Sequence, residues 1–314
     1  MKDLLDTLCP RPLIVGALCA LLLGACNDES TGAQAPGTPR IAASFYPLAF
    51  FVEEIAGDTV ELYEPVPTGE DPAFWKPDSE ALVRMQGAQL ILLNGAKFEK
   101  WVETVSLPES RIVYTARSFE EQWLEREEET HSHGGLAPHS HGAIDGHTWM
   151  DPHQATAQAE AVMAALSKRL PTEAEHFASG MQSLMQKLEE IDLAWSGLAP
   201  RLKQARLLAS HPSYDYPARR YGFTLANFDL DPEAALGEHD LESIIDTAGS
   251  GSPHIMLWES SPLPETAEAL AKHGIRSVTF SPGESLARAE RGQGVDFHTI
   301  MLDNLKRLGE ALAD

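Results

Sequence analysis

The run Glu173–Leu198 constrains this chain more than any other stretch. Over about seven turns, Phe177, Met181, Leu184, Leu188, Ile191 and Trp195 fall near one stripe, and Pro171-Thr172 breaks the preceding pattern. A helix this long needs a continuous apolar partner along its length. The chain on both sides of it alternates between short apolar runs and helical periodicity. Such alternation gives mostly parallel sheets covered by helices on both faces. The expected fold is therefore α/β: two parallel-sheet lobes, 40–171 and 201–314, bridged by a long rigid helix over 172–200.

In the first lobe, strands are expected at Arg40–Phe45, Thr59–Val66, Gln89–Asn94 and Arg111–Tyr114. Helices are expected at Pro47–Ala56, Pro77–Gln86, Phe98–Val105 and from Pro152 to Leu170. The continuous apolar run Gln-Leu-Ile-Leu-Leu-Asn at 89–94 has the composition of a central parallel strand. In the second lobe, strands at Ala205–Ser210, Phe223–Phe228, His254–Trp258 and Arg276–Phe280 alternate with helices at Tyr214–Tyr221, His239–Ala248 and Pro264–His273. A terminal helix follows at Phe297–Leu312. The acidic run Glu120–Glu129 reads as a solvated insertion.

Residues 1–26 read as an address rather than structure. Lys2 and Arg11 precede the apolar run Pro12–Ala25, too short to span a bilayer. That run ends Leu23-Gly24-Ala25-Cys26, which resembles a bacterial lipobox. Of the three cysteines, Cys9 and Cys19 would leave with the signal. Cys26 would then be the acylated N-terminal residue, with no disulfide framework. Acyl chains there would tether the exported protein to a membrane face. Residues 27–39 form a polar tether without periodicity. The formal charge of −23 survives processing, because Lys2, Arg11, Asp3 and Asp6 leave together. So acidic a chain argues against nucleic acid, which needs basic patches.

The chemistry concentrates at Asp145-Gly146-His147-Thr148-Trp149-Met150-Asp151-Pro152. It closes a loop, 130–147, that carries His131, His133, His139 and His141 among small and polar residues. Such a composition reads as an auxiliary metal-collecting segment. His147 differs, because Trp149 and Met150 follow at once and can hold it still. Trp75 and Trp149 read as core or cleft-lining residues.

In parallel sheets, ligands bind beyond the carboxyl ends of the strands. That rule brings His211, Glu259 and Ser281 to one edge of the second lobe. With His147 facing them, two imidazoles and a carboxylate would form a zinc set with one open position. His147 and His211 are the expected metal ligands, with Glu259 as helper. Neutral imidazole suits zinc better than manganese; iron is a further divalent candidate.

Three segments resemble the metal-binding proteins of zinc and manganese ABC importers, of the ZnuA type. They are Gly69-Glu-Asp-Pro-Ala-Phe-Trp-Lys-Pro77, Gly146-His-Thr-Trp-Met-Asp-Pro152, and Ser210-His-Pro-Ser-Tyr-Asp-Tyr-Pro-Ala-Arg-Arg-Tyr-Gly222. The resemblance covers roughly Ile41 to Ala313. It implies two lobes joined by a helix, a divalent cation as cargo, an ABC permease as partner, and a monomer on the outer side of a membrane. His147 and His211 stand at two family ligand positions. The family's first histidine is here Ala73 and its late aspartate is Ser281, so Glu259, Asp71, Asp78 or water would have to complete the shell.

Other classes leave their marks in the sequence as well. A manganese, iron or metal–chelate receptor would use the room that Ala73 leaves. A metal buffer or chaperone would rely on the histidine loop. A zinc hydrolase would need a positioned base, yet the sequence has no His-Glu-x-x-His helix and no Gly-x-Ser-x-Gly elbow. The expected protein is not an enzyme.

Overall fold

The computed structural model describes residues 37–125, 144–250 and 254–313, with the short segments 130–131 and 139–140. Cys26, the leader, most of the tether, His133 and His141 lie outside the described residues. Residues Thr38–Asp314 form one compact unit.

Its first half holds β1 (Arg40–Ala43), α1 (Tyr46–Ala56), β2 (Glu61–Tyr63), α2 (Ser79–Gln86), β3 (Leu90–Leu93) and β4 (Ile112–Tyr114). The four strands are parallel, in the order β2-β1-β3-β4. β3 is buried throughout, as a central strand covered on both faces must be. Pro47 sits in the first turn of α1, where its missing N–H costs nothing. Asp78 caps α2 by accepting from the Ala81 N–H at 2.8 Å.

Two short strands, β5 (Thr130–His131) and β6 (His139–Ser140), pair antiparallel within the histidine loop, with His131 opposite His139. The insertion begins later than expected. Thr115–Gln122 coils in 3₁₀ turns, and Glu125 bridges to Ile144. Residues 126–129 lie outside the described residues.

Next comes α3 (Pro152–Arg169), with Asp151 accepting from the His153 N–H and Lys168 and Arg169 in its last turn. Then α4 (Ala174–Leu202) runs for 29 residues, or about 43 Å. Its buried side chains are Phe177, Met181, Leu184, Leu188, Ile191, Trp195, Leu198 and Leu202. Each contributes about 1.5–3 kcal/mol by burial. The helix continues through exposed Pro200, past its expected end at Leu198.

The second half holds β7 (Arg206–Ala209), α5 (Asp215–Tyr221), β8 (Leu225–Asn227), α6 (Glu238–Ala248), β9 (His254–Trp258), α7 (Pro264–Ala271), β10 (Ile275–Thr279), α8 (Arg288–Arg291) and α9 (Phe297–Ala311). Its strands are again parallel, in the order β10-β9-β7-β8.

The lobes are not beads on a rod. One core cluster runs from Ile41 and Phe51 through the α4 stripe to Leu257, Phe280 and Phe297. Gly180 lets α4 approach α1 closely: a Cβ there would lie 2.5 Å from the carbonyl oxygens of Glu54 and Ile55. Further along, the Trp195 ring stacks on Tyr221 and Phe223 at 5.4 and 5.9 Å. The spine thus grips one lobe near its start and the other near its end.

One expected helix is corrected. Phe98–Val105 is not α-helical; only Lys100–Thr104 coils, as a 3₁₀ turn. Before it, Gly95, Ala96 and Lys97 all have positive φ. This sharp turn brings the Glu99 carboxylate back over the end of β3. There it accepts from Ser44 Oγ at 2.6 Å, from Asn94 N at 2.7 Å and from Gly95 N at 3.2 Å. Three hydrogen bonds to one buried carboxylate offset the cost of two strained non-glycine residues.

Candidate metal centre

The carboxyl ends of both sheets open on one cleft of about 180 Å³. Asp71, Asp145, His147, His211, Glu259 and Glu284 all line it. In the second lobe, every strand delivers an acidic or imidazole side chain soon after its end: His211 after β7, Asp229 after β8, Glu259 after β9 and Glu284 after β10. The β7–β9 junction is where the strand order reverses, the place where open α/β sheets bind ligands.

His147 is held from several sides. Asn94 Nδ2 donates to Gly146 O at 2.8 Å, and Asn94 Oδ1 accepts from Thr148 Oγ1 at 2.9 Å and Gln158 Nε2 at 2.7 Å. Tyr216, from the other lobe, donates its hydroxyl to Asp145 O at 2.8 Å. The Asp145 carboxylate then accepts from both the backbone N–H and Nδ1 of His147, at 2.9 and 2.8 Å. That bond assigns the Nδ1 proton and turns Nε2 into the cleft.

His147 Nε2 lies 3.2 Å from Glu284 Oε1 and 3.4 Å from Ser213 Oγ. The ring centroids of His147 and His211 are 5.8 Å apart. Two donors sharing a tetrahedral ion at about 2.0–2.1 Å sit about 3.3 Å apart, and two imidazole centroids about 5 Å apart. The observed spacings are close to both. Asp229 stands behind His211, with Oδ1 3.8 Å from Nδ1, a longer approach than the 2.8 Å of Asp145 to His147.

Electrostatics match the geometry. Burial alone would pull the His147 pKa down, but hydrogen bonds to Asp145 and Glu284 prevail and push it up to about 10. The carboxylates that favour a charged ring there favour a cation beside it as well. His211 is also raised: burial opposes, and Asp229 and Glu259 outweigh it. Burial, with repulsion from Glu284, lifts both Asp71 and Glu259 above the usual carboxylate range. Carboxylates crowded in this way gain from any divalent cation placed among them. Among the described residues, no three His, Cys, Asp or Glu side chains already stand at ligand distance around one point. The donors have to draw in slightly to close on an ion.

Sequence reasoning missed Glu284 and looked instead at Ser281. Ser281 does not line the cleft; its hydroxyl accepts from the Gly283 N–H at 3.2 Å and its carbonyl accepts from Asn304 Nδ2 at 2.7 Å. Pro282-Gly283 then turns the chain so that Glu284, three residues on, faces in. The Pro-Gly pair after a strand was the available signal. Asp78 is also excluded as a helper, because its carboxylate caps α2 and does not line the cleft. Trp149 is core, with its indole N–H donating to Pro282 O at 2.9 Å. Trp75 is buried against Trp101. His131 and His139 are described only by their strand pairing, so how the loop relates to the cleft lies outside the described residues.

Two α/β lobes closing a cleft of imidazoles and carboxylates define a cation-binding, two-lobed receptor architecture. The family model described as "Zinc-uptake complex component A periplasmic" matches residues 41–311, and the chain belongs to that family. It is 27% identical over 303 residues to the zinc-binding lipoprotein AdcA of Streptococcus pneumoniae (strain ATCC BAA-255 / R6), covering 94% of this chain and 60% of that protein. It therefore spans only about three fifths of that relative. It is 24% identical over 309 residues to the high-affinity zinc uptake system protein ZnuA of Bacillus subtilis (strain 168), covering 96% and 97% of the two chains. The crystal structure of Zn(II)-bound AdcA from Streptococcus pneumoniae shares the fold at a TM-score of 0.74 and 22% identity, over 88% of this chain and 58% of that one.

Proposed function

We propose that the protein is the extracytoplasmic receptor of a zinc importer. It takes one zinc ion on His147 Nε2, His211 and Glu284, with Glu259 and Asp71 at hand, and delivers it to an ABC permease. The observation that carries this is the 3.2 Å approach of His147 Nε2 to Glu284 Oε1 beside a second imidazole. Two nitrogens and a carboxylate oxygen suit zinc ahead of manganese or iron. Asp145 and Asp229 orient the two rings and raise their basicity. Cys26 would carry the acyl anchor, holding a monomeric receptor at the outer face of the membrane beside its permease. No described helix is long and apolar enough to cross a membrane. The relatives, named as zinc-binding and zinc-uptake proteins, support the cargo and the transport role.

Competition titration with a chromophoric zinc chelator tests the assignment. One tight site is expected in the intact protein. His147→Ala, His211→Ala and Glu284→Ala should each weaken it at least a hundredfold. Unchanged affinity in all three would refute the assignment, and retention of the site after deletion of 131–141 separates a receptor from a histidine-loop buffer.

A further inference from the structure

The cleft is larger and differently charged than a lone ion requires. A volume of about 180 Å³ corresponds to about six waters at about 30 Å³ each. Ala73, Phe74, Lys97, Phe98 and Lys100 line the cleft's first-lobe wall. Ala73 is short and supplies no donor of its own, so from that strand-end loop only Asp71 offers a carboxylate to the cleft. Its backbone is nonetheless pinned, because Asp71 Oδ1 accepts from Ala73 N at 2.7 Å and Ala73 O accepts from Lys100 N at 3.0 Å.

Two lysines on the wall of a cation site need a reason. Lys97 is paired at the surface with Glu103 at 2.9 Å and is well exposed. Lys100 is not paired: among the described residues its ammonium makes no hydrogen bond or ion pair. It is partly buried. Burial, with repulsion from Lys97, holds its pKa below the usual lysine value. The Glu103 charge offsets this only in part, and an anion arriving with the ligand would give the ammonium a direct partner. The turn that places both lysines is strained at Ala96 and Lys97 and is held by the buried Glu99 carboxylate. Their position is thus built into the fold rather than left to a floppy surface.

The donor count agrees. His147, His211 and Glu284 would leave one position of a tetrahedral zinc ion to a further donor. We propose that the cleft accepts zinc together with a small polycarboxylate: one carboxylate completes the metal's shell in the room beside Ala73, and a second pairs with Lys100 and Lys97. The cargo is then a zinc–carboxylate chelate rather than the bare ion. This inference rests on the metal-receptor assignment and deepens it.

Equilibrium dialysis of the purified protein with zinc and radiolabelled citrate tests it. The expected result is one zinc and one citrate retained per chain, with citrate retained only when zinc is present. Lys100→Glu should reduce citrate retention at least tenfold while zinc is still bound. Ala73→His, on a different element, should do the same by filling the cavity and supplying a protein donor. Zinc retained without citrate overturns the chelate and leaves the receptor assignment standing. So does citrate retention that is indifferent to both substitutions, or inorganic phosphate retained equally well in place of citrate. Retention of neither zinc nor citrate overturns the receptor assignment itself.

Discussion

Arg291 offers the sharpest test of how the cleft is held. It belongs to the second lobe, in the short helix α8 that follows the Glu284 loop, yet its partners lie in the first. Its guanidinium makes a two-pronged pair with Glu64 at 2.7 and 2.5 Å, reaches Glu53 at 3.3 Å, and lies over the Tyr46 ring at 4.2 Å. It also donates to Leu286 O at 3.3 Å, inside the loop that carries Glu284. The Arg291 and Glu64 side chains are each 18% exposed. Breaking a fully buried pair costs about 3–5 kcal/mol, and an exposed one less than about 1 kcal/mol. At this intermediate burial, Arg291→Met should cost about 2–3 kcal/mol and lower Tm by about 5–8 °C. Much of that cost is Glu64 left without its partner, and Glu53, already raised by burial, would lose the charge that opposes the rise. Replacing both members, Arg291→Met with Glu64→Met, should therefore cost less than Arg291→Met alone. The same latch positions Glu284, so zinc should leave the single variant about tenfold faster. Urea denaturation with stopped-flow zinc release checks both. A loss below about 0.5 kcal/mol, or a double variant as unstable as the sum of the singles, would refute the latch.

Other consequences follow from particular contacts. Gly180→Ala would put a Cβ 2.5 Å from two α1 carbonyl oxygens and should destabilise by about 2–4 kcal/mol in urea unfolding. Gly197→Ala, in the same helix with nothing within 4 Å, should instead gain about 0.5–1 kcal/mol. Gly146→Ala would place a Cβ 2.8 Å from Phe98 Cβ, displacing His147; chelator competition should show zinc affinity down at least tenfold. Burial would raise Asp296, but the Thr299 N–H and hydroxyl and Lys187 hold it below the usual carboxylate range. Its contribution is present above the unfolded value of about 3.9 and is lost as pH falls through the folded one. Asp296→Asn should therefore be less stable than the parent near neutrality, by about 1 kcal/mol, with the gap closing on acidification below about pH 4.

The fold was legible because its signals are periodic. The α4 stripe, Phe177 to Trp195, and the apolar runs of β3 and β9 leave few architectures open. The strand-end rule also located His211 and Glu259 on the cleft wall. What it lacked was loop geometry. Sequence marks where β10 stops, but not that Ser281 is spent on Gly283 and Asn304, nor that Gly283 at φ 74° swings Glu284 inward. The orienting carboxylates were missed for a related reason. Asp145 acts through hydrogen bonds to a residue two positions away, a relation that composition and period do not encode. Asp229 follows β8 and could have been found by applying the same rule to that strand. The failed helix at Phe98–Val105 has the opposite cause, because three positive φ values at 95–97 override an apparently helical pattern to satisfy Glu99.

These contacts bear on how the cleft exchanges its ion. A receptor whose lobes rock apart needs few bonds across the interface, and here there are many. Phe297 of α9 packs on Phe50 and Phe51 of α1 at 5.8 and 6.4 Å. Lys187 of the spine bridges Glu54 in one lobe and Asp296 in the other, at 2.7 and 3.3 Å. Tyr46 N donates to Glu284 O at 3.0 Å, Trp149 Nε1 to Pro282 O, and Tyr216 to Asp145 O. Rigid-body opening would break all of these and expose the shared core, a cost of many kcal/mol. Exchange is cheaper through side-chain movement and local shifts of the short loops that carry His211, Glu259 and Glu284. Small-angle scattering should accordingly give the same radius of gyration with and without zinc, to within about 0.5 Å, while amide exchange slows on binding in 281–287. A compaction of about 1 Å or more on adding zinc would show that the lobes hinge and that the interface bonds do not hold them.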